Sequence, residues 1–290
     1  MTKICCIGLG KMGTALATVL LREGLDITVY NRTEKKMLPL IEMGAKGAHS
    51  LPEAVKESDI VISCLLDDKA VIECAKEFAP HLRSNAIHIS LATILPDTAK
   101  QLEAIHQDSG NRFIGGAVLG IPQRALEKKL TTFCSGNQNA IMELEEVLSC
   151  FSEKILNLGE QVKAANVMKI CMNYSLSTAL ELMSELYIFA EKSELDTSYV
   201  SSGLNEIFGH PAFKLYIEKI ASRNFDSVNF DIIGGNKDAC LFQEAFKRVG
   251  MENKLGEVVR SRFQQAIEKG MEDMDWSSIY EIVRSESGLS

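Results

Sequence analysis

The chain has 290 residues, of which 46% are hydrophobic and 24% are charged, a composition typical of a soluble globular protein with room for two mid-sized domains. Its 39 acidic and 31 basic residues give a net charge of −8, which argues against a nucleic-acid-binding surface. No apolar run approaches the roughly 18–20 residues of a membrane span. The eight cysteines form no CxxC pair and lie mostly in apolar stretches, so we expect buried thiols and a cytoplasmic protein.

The first half of the chain alternates short β-type runs with segments of helical periodicity. Strands separated by helices predict βαβ units and a parallel sheet covered on both faces. Helical periodicity is clearest over Gly13–Glu23, Glu34–Met43 and Lys69–Phe78. The predicted strands are Lys3–Gly8, Asp26–Asn31, Ile60–Leu65, Ala86–Ser90, Arg112–Val118 and Thr131–Ser135.

From about residue 160 the pattern becomes helical throughout. The stretch Glu160–Lys192 contains neither Pro nor Gly, and one helix over it would be roughly 45–50 Å long, enough to cross between domains or into a second subunit. Pro211 and the pair Gly234–Gly235 are expected to punctuate the later helices. We therefore predict an α/β Rossmann-type domain over residues 1–160 and an all-α substrate and dimerisation domain over residues 161–290.

The first predicted strand ends in the motif Gly8-Leu9-Gly10-Lys11-Met12-Gly13, which then opens a helix. In a dinucleotide site of this type the first glycine allows a tight turn and the second lets the backbone approach a pyrophosphate. The third glycine lets the helix pack closely on the strand, and the helix N-terminus offers amide donors to the phosphates. The motif predicts a nucleotide cofactor held by residues 8–13.

The end of the second predicted strand indicates which cofactor this is. NAD sites commonly place an acidic residue there, but this chain has Asn31-Arg32-Thr33. All three side chains can donate hydrogen bonds to a ribose 2′-phosphate, and Arg32 adds a positive charge. We therefore predict NADP. In the alternative interpretation Thr33 caps the following helix and Arg32 is only solvated.

A polar stripe runs along the long predicted helix. It consists of Asn166, Lys169, Asn173 and Ser177, which share one face by their spacing and lie among apolar neighbours. A partly desolvated lysine is suited to exchange a proton with an alcohol or an alkoxide. The alternative is a solvated face, or a lysine paired structurally with a glutamate.

Together these motifs resemble the β-hydroxyacid dehydrogenases, the 3-hydroxyisobutyrate dehydrogenase family, over nearly the whole chain. Ala92-Thr93-Ile94-Leu95-Pro96 resembles the family loop beside the nicotinamide, and Lys169-Ile170-Cys171-Met172-Asn173 resembles its catalytic run. Asn236-Lys237-Asp238 is similar to its Lys-Asp motif, and the segment Asp275–Ile279 to its C-terminus. The resemblance implies a Rossmann domain followed by a helical domain, an active site in the cleft between them, and a homodimer or larger oligomer built through the helical domain.

The resemblance also implies roles for individual residues. Lys169 would be the general acid/base, and Asn173 would orient the substrate or the lysine. The further cofactor contacts that it implies, beyond residues 8–13 and 31–33, are Leu65, Leu66, Thr93 and Lys237.

The predicted substrate residues Val118, Leu119 and Gly120 depart from the family pattern. The family loop usually has Ser-Gly-Gly, in which the serine and the glycine backbone hold a carboxylate, whereas this chain has Leu119-Gly120-Ile121. Met172 also replaces the first of the family's two adjacent asparagines. Apolar side chains do not compensate the hydrogen bonds that a buried carboxylate loses, so the loop favours a more apolar carbonyl or imine.

Our leading hypothesis is a cytosolic NADPH-dependent oxidoreductase that interconverts a small carbonyl compound and its alcohol. One alternative is an imine reductase on the same scaffold, and another is an NADPH-binding sensor that has lost catalysis. We expect no metal, nucleic-acid or membrane partner. We expect His88 to be a core residue, Cys171 to be a packing residue and His210 to mark a helix boundary. We also expect Tyr174 to be a packing residue, with substrate contact as the alternative.

Overall fold

The computed structural model describes residues 2–289, and the chain divides after Ile170 into two compact units. The first unit contains an eight-stranded sheet of order β3-β2-β1-β4-β5-β6-β7-β8. Its strands are β1 Lys3–Ile7, β2 Asp26–Tyr30, β3 Lys46–Gly47, β4 Ile60–Ser63, β5 Ile87–Ser90, β6 Arg112–Leu119, β7 Leu130–Gly136 and β8 Ser152–Asn157.

All six predicted strands are present, with ends shifted by one or two residues. The predicted parallel sheet is confirmed, with one antiparallel pair: β6 and β7 pair antiparallel, while the other neighbours are parallel. Strands β3 and β8 were not predicted. β3 has only two residues, and β8 has a largely exposed polar pattern with little apolar alternation.

Both faces of the sheet are covered by helices, as the predicted βαβ pattern requires. Because side chains alternate along a strand, Ile60 and Ile62 of β4 join one buried cluster and Val61 joins another on the opposite face. The helices of this unit are α1 Lys11–Arg22, α2 Leu38–Glu42, α3 Leu51–Val55, α4 Asp68–Phe78, α5 Pro96–Asp108, α6 Pro122–Leu126 and α7 Gln138–Ser149.

The long helix is confirmed as α8, Ala164–Lys192, whose 29 residues span about 44 Å. The predicted domain boundary after residue 160 lies in the loop before α8, and the two units divide inside this helix. The later helices are α9 Thr197–Ile207, α10 Pro211–Ser222, α11 Ile232–Arg248, α12 Lys254–Glu268 and α13 Ile279–Glu286. Within residues 2–289, none of the helices combines the length and the apolar content needed to cross a membrane.

The residues that were predicted to punctuate the helices of the second unit lie at helix starts. Pro211 begins α10, and His210 is its N-cap and accepts a hydrogen bond from the Ala212 amide, so His210 does mark a helix boundary. Gly234 and Gly235 also lie near a helix boundary, since both residues are in the first turn of α11. A Cβ on Gly235 would approach the Phe263 ring to 2.7 Å, so this glycine allows α12 to pack closely.

The cysteines only partly match the expectation of buried thiols. All eight are free, but of these Cys5, Cys6 and Cys134 alone are buried, and Cys64, Cys74 and Cys150 are partly accessible. Cys171 and Cys240 are exposed. The packing role expected for Cys171 is therefore wrong within this chain, because its side chain is exposed.

His88 is confirmed as a core residue and belongs to a buried hydrogen-bond chain. The Asn111 amide donates to Ser109 O, so its Oδ1 accepts from His106 Nδ1 at 3.2 Å. His106 Nε2 then accepts from His88 Nδ1, and His88 Nε2 accepts from the Ser63 hydroxyl, both at 2.8 Å. Every bond of the chain thus has one donor, and both imidazoles are neutral.

Acid is expected to destabilise the protein through these histidines. Burial lowers the pKa of His106 to about 4, and it lowers the pKa of His88 well below the ordinary value. Between pH 6.5 and pH 4 the unfolded chain binds a proton at position 106 that the folded chain does not, so the free energy of unfolding falls across that interval. His106 alone should account for about 3 kcal/mol.

Chemical denaturation of the wild type and of His106→Gln at pH 7 and at pH 4 measures this effect. Glutamine can accept from His88 and donate to Asn111 without titrating. The variant should therefore lose less stability than the wild type between the two pH values. The same loss in both proteins would show that His106 does not determine the acid sensitivity.

Candidate active site

The glycine motif forms a tight loop between β1 and α1. Gly8 has φ +89°, and a Cβ there would lie 2.5 Å from Cys64 O. A Cβ on Gly13 would lie 2.0 Å from Gly8 O, so only glycine permits this approach of helix to strand. A Cβ on Gly10, by contrast, would meet no atom within 4 Å. The backbone at Gly10 therefore faces open space at the start of α1, a helix with no acidic residue in its first turn.

The loop after β2 is joined to the glycine loop by Asn31. Its Oδ1 accepts from the Leu9 amide at 2.9 Å, and its Nδ2 donates to Thr33 O at 3.0 Å. The Arg32 side chain is exposed and has no hydrogen bond or ion pair within residues 2–289. Thr33 precedes a short turn, but its hydroxyl makes no capping hydrogen bond. Thr33 thus occupies the N-cap position without the capping hydrogen bond of the alternative interpretation, and Arg32 is solvated, as that interpretation expects. Both the Thr33 hydroxyl and the Arg32 guanidinium are available to an anion.

The loops after β4 and β5 are held together by Asp68, which sequence reasoning missed. Its carboxylate accepts from the Leu95 amide at 2.8 Å and from the Thr98 hydroxyl at 2.5 Å. These bonds fix the loop that carries Thr93, a predicted cofactor contact. The signal in the sequence was the pair Asp67-Asp68 before a helix, since one aspartate is enough for the N-cap. In the structure Asp67 caps α4 by accepting from the Ala70 amide, so the Asp68 carboxylate can bond to other residues. In the loop after β4, Leu65 is half-buried and Leu66 is exposed.

The start of α8 packs directly on β6 and β7. A Cβ on Gly115 would lie 1.9 Å from Val162 O, so the chain reaches this position only because β6 has a glycine there. The Ser135 hydroxyl donates to Val162 O at 2.8 Å and accepts from the Ala165 amide at 3.0 Å. Neither Gly115 nor Ser135 was predicted to have this role.

This attachment positions Lys169 at the carboxyl end of β6. Its Nζ donates to Val118 O at 2.8 Å, and the side chain is half-buried. The predicted catalytic lysine and the predicted substrate residues thus lie together within the first unit. Beyond Leu119 the chain turns at Gly120, whose φ of +136° is a backbone conformation that favours glycine.

The other members of the α8 stripe have different surroundings. The Asn166 amide is buried, and neither of its polar atoms has a hydrogen-bond partner among the described residues. The Ser177 hydroxyl donates to the carbonyl of Tyr174 in its own helix. The Tyr174 ring packs against Phe242 and Phe246 of α11. The stripe therefore combines site residues with ordinary packing.

In the second unit Asn173 and Lys237 share the buried carboxylate of Asp238. Asn173 Nδ2 donates to Asp238 Oδ2 at 2.7 Å, and Lys237 Nζ lies 2.8 Å from Asp238 Oδ1. Asp238 was quoted in a motif but not predicted as a site residue. Its carboxylate fixes the amide of the predicted catalytic asparagine and orients the lysine predicted to contact the cofactor. Among residues 2–289, no group of three or more metal-ligating side chains is positioned to bind a metal ion.

Comparison with known proteins identifies the family. The family model for the NAD binding domain of 6-phosphogluconate dehydrogenase matches residues 3–159. The model for the NAD-binding region of NADP-dependent 3-hydroxyisobutyrate dehydrogenase matches residues 164–283. The chain belongs to the 3-hydroxyisobutyrate dehydrogenase family. It is therefore an oxidoreductase with a domain that binds NAD or NADP.

Relatives within the family differ in their named cofactors. The oxidoreductase YfjR of Bacillus subtilis is 34% identical over 97% of this chain and 100% of its own. The NADH-dependent oxidoreductase ucdB of Aspergillus ustus is 30% identical over 96% of this chain and 98% of its own. The NADPH-dependent reductive aminase of Aspergillus oryzae is 28% identical over 94% of each chain. The names of these relatives therefore do not indicate whether this chain prefers NAD or NADP.

The fold is also that of solved family structures. The 3-hydroxyisobutyrate dehydrogenase of Mycobacterium tuberculosis with L-serine superposes with a TM-score of 0.90 at 23% identity, covering 98% of this chain and 99% of that one. A reductive aminase of Aspergillus terreus gives a TM-score of 0.64 at 24% identity, covering 98% and 99%. At these identities the likeness concerns the fold, and it confirms the predicted Rossmann domain followed by a helical region.

Proposed function

We propose that the protein is an NADPH-dependent reductase that interconverts a small carbonyl compound and its alcohol, with Lys169 as general acid/base. The observation that carries this proposal is the hydrogen bond from Lys169 Nζ to Val118 O, which holds a half-buried ammonium at the carboxyl end of a sheet strand. Ligands in open α/β folds bind at the carboxyl ends of the strands.

The residues around the glycine loop fit a phosphorylated dinucleotide. Open space at Gly10 and the amides of the first turn of α1 suit a pyrophosphate. Arg32 and Thr33 offer a charge and a hydroxyl, with no carboxylate at the end of β2 to repel a 2′-phosphate. Asn31 positions these donors by joining the two loops. When bound, the reduced nicotinamide supplies the hydride.

Lys169 would supply the proton. In the reductive direction its ammonium donates to the oxygen of the carbonyl compound, and in the reverse direction the neutral amine accepts the alcohol proton. The hydrogen bond to Val118 O holds the ammonium at the carboxyl end of β6, where it would donate to a substrate oxygen. Asn173, held by Asp238, would orient the substrate or Lys169, and Val118, Leu119 and Gly120 would line the substrate position.

The reaction is tested by titrating the purified protein with NADPH and NADH and then following NADPH oxidation with simple aldehydes and ketones. Tighter binding of NADPH, together with turnover, is the expected result. NADPH binding without turnover of any carbonyl or imine would instead favour the sensor hypothesis. Binding of neither nucleotide would contradict the proposal.

Imine reduction is the second candidate. The apolar Leu119-Gly120-Ile121 segment favours it, and one relative is named as a reductive aminase. The two reactions differ in the atom protonated, since an imine nitrogen is basic enough to arrive already protonated. A preference for cyclic imines over aldehydes, with little dependence on Lys169, would select this reaction.

We also propose a homodimer formed through the helical unit. Leu182, Leu186 and Phe189 form an exposed apolar row on α8, and the Phe189 side chain is 71% exposed. Such a row on a long helix is typical of a surface covered by another subunit. Sedimentation velocity on the purified protein measures the assembly, and a monomer at micromolar concentration would contradict it.

A further inference from the structure

The end of β6 and the three residues beyond it contain no polar side chain. Residues 118–122 have the sequence Val-Leu-Gly-Ile-Pro. Val118 is buried, while Leu119 and Ile121 are half-buried and so remain accessible to a small molecule. No hydroxyl, amide or charged side chain is present in this segment. The wall that it forms can bind a substrate by packing but not by side-chain hydrogen bonds.

The cation beside this wall is Lys169, whose Nζ is 2.8 Å from Val118 O. If a substrate carboxylate formed an ion pair with that ammonium, the ammonium would no longer be positioned to protonate the carbonyl oxygen in the proposed reaction. Carboxylate binding at this position therefore requires a second cation or other hydrogen-bond donors.

The cations that follow in the chain already have partners. The Arg124 guanidinium donates to Lys129 O at 2.8 and 3.1 Å. Lys128 Nζ lies 2.6 Å from a Glu23 carboxylate oxygen, and Lys129 Nζ lies 3.1 Å from Glu127. These contacts fix the segment after β6, and they commit its positive charges to groups of the protein.

We propose that Leu119 determines the substrate class, and that this class is an uncharged carbonyl compound that has no carboxylate. The inference rests on the proposed function. A carboxylate transferred from water to this wall would lose its hydration without gaining hydrogen bonds from the side chains. An ester, alkyl or aryl group would gain from the same burial.

A matched pair of aldehydes tests the proposal. 4-Oxobutanoate and its methyl ester have the same chain length and reacting group, and they differ in charge. With NADPH, the wild type should reduce the ester with a kcat/KM about 100-fold higher than that of the carboxylate. Turnover of both compounds with equal efficiency, or a preference for the carboxylate, would overturn the inference while leaving the proposed reaction intact.

Two variants with small side chains isolate the contribution of position 119. Leu119→Ala and Leu119→Ser both remove the large apolar group, but only serine adds a hydroxyl. The ratio of the kcat/KM values, carboxylate over ester, should be about tenfold higher in Leu119→Ser than in Leu119→Ala, as expected for one hydrogen bond to a charged group. Equal ratios would show that position 119 does not face the substrate. If the wild type reduces neither aldehyde, the proposed carbonyl reduction fails and this inference fails with it.

Discussion

Replacing Lys169 with methionine is expected to lower kcat by about 10³-fold while leaving the Kd for NADPH within about twofold. Methionine retains an unbranched stem of similar length, so the packing at the start of α8 is preserved. It removes the ammonium that donates to Val118 O and, in the proposed reaction, to the substrate oxygen. The nucleotide loop is formed by other residues, from Gly8 to Gly13 and from Asn31 to Thr33, so cofactor binding should persist.

Two further variants make this experiment specific. Lys163→Met removes the same charge just before α8 from a residue with no proposed role, and it should retain the wild-type kcat. Lys169→Arg keeps the charge but not the proton transfer, because the guanidinium pKa is too high for an acid/base that must cycle near neutral pH. It should resemble Lys169→Met. A kcat within tenfold of the wild type in Lys169→Met would remove Lys169 from the proton transfer.

The features that could be predicted from sequence are those with a local cause. Gly8 and Gly13 each occupy a position where a side chain would collide with backbone atoms. The glycine motif alone therefore predicts the tight loop between β1 and α1. The long uninterrupted segment after residue 160 became α8 for a similarly local reason, since it contains nothing that stops a helix. Strand β3 was missed because two residues leave no periodicity to detect.

The features that could not be predicted depend on partners distant in the chain. Asp68 holds a hydroxyl 30 residues away, Ser135 holds Val162 at a separation of 27, and Asp238 holds Asn173 at a separation of 65. A single sequence does not indicate which distant residue is the partner in such a pair. Periodicity placed Asn166, Lys169, Asn173 and Ser177 on one helix face. Only the structure shows that the Ser177 hydroxyl bonds within its own helix, whereas Lys169 and Asn173 bond to other elements.

The Gly234–Gly235 pair shows the same distinction. As a sequence feature it indicates a break, because glycine lowers helix propensity. In the structure the Asp231 side chain caps α11 by accepting from the Gly234 amide at 2.8 Å, and the Phe263 ring packs on Gly235. The tertiary contact outweighs the propensity, and the pair begins a helix instead of ending one.

Replacing Arg32 with glutamine is expected to raise the Kd for NADPH about 100-fold and to change the Kd for NADH by less than about threefold. The guanidinium is exposed and has no partner within residues 2–289, so its removal leaves no unsatisfied group in the protein. A 2′-phosphate would lose a charge-assisted, two-pronged interaction, which is consistent with a change of this size. NADH has a hydroxyl in place of that phosphate and would lose little.

Lys36→Gln is the matched control, because it removes the same charge from an exposed residue one turn further along the chain. A general effect of positive charge would weaken NADPH binding similarly in both variants and would decrease as salt is added. If Arg32 contacts the 2′-phosphate directly, only Arg32→Gln should weaken NADPH binding strongly, and the weakening should persist at 0.3 M salt. Equal weakening of NADPH and NADH in Arg32→Gln would instead mean that Arg32 supports a part common to both cofactors. The preference for NADPH would then have to come from Thr33 and the amide donors around it.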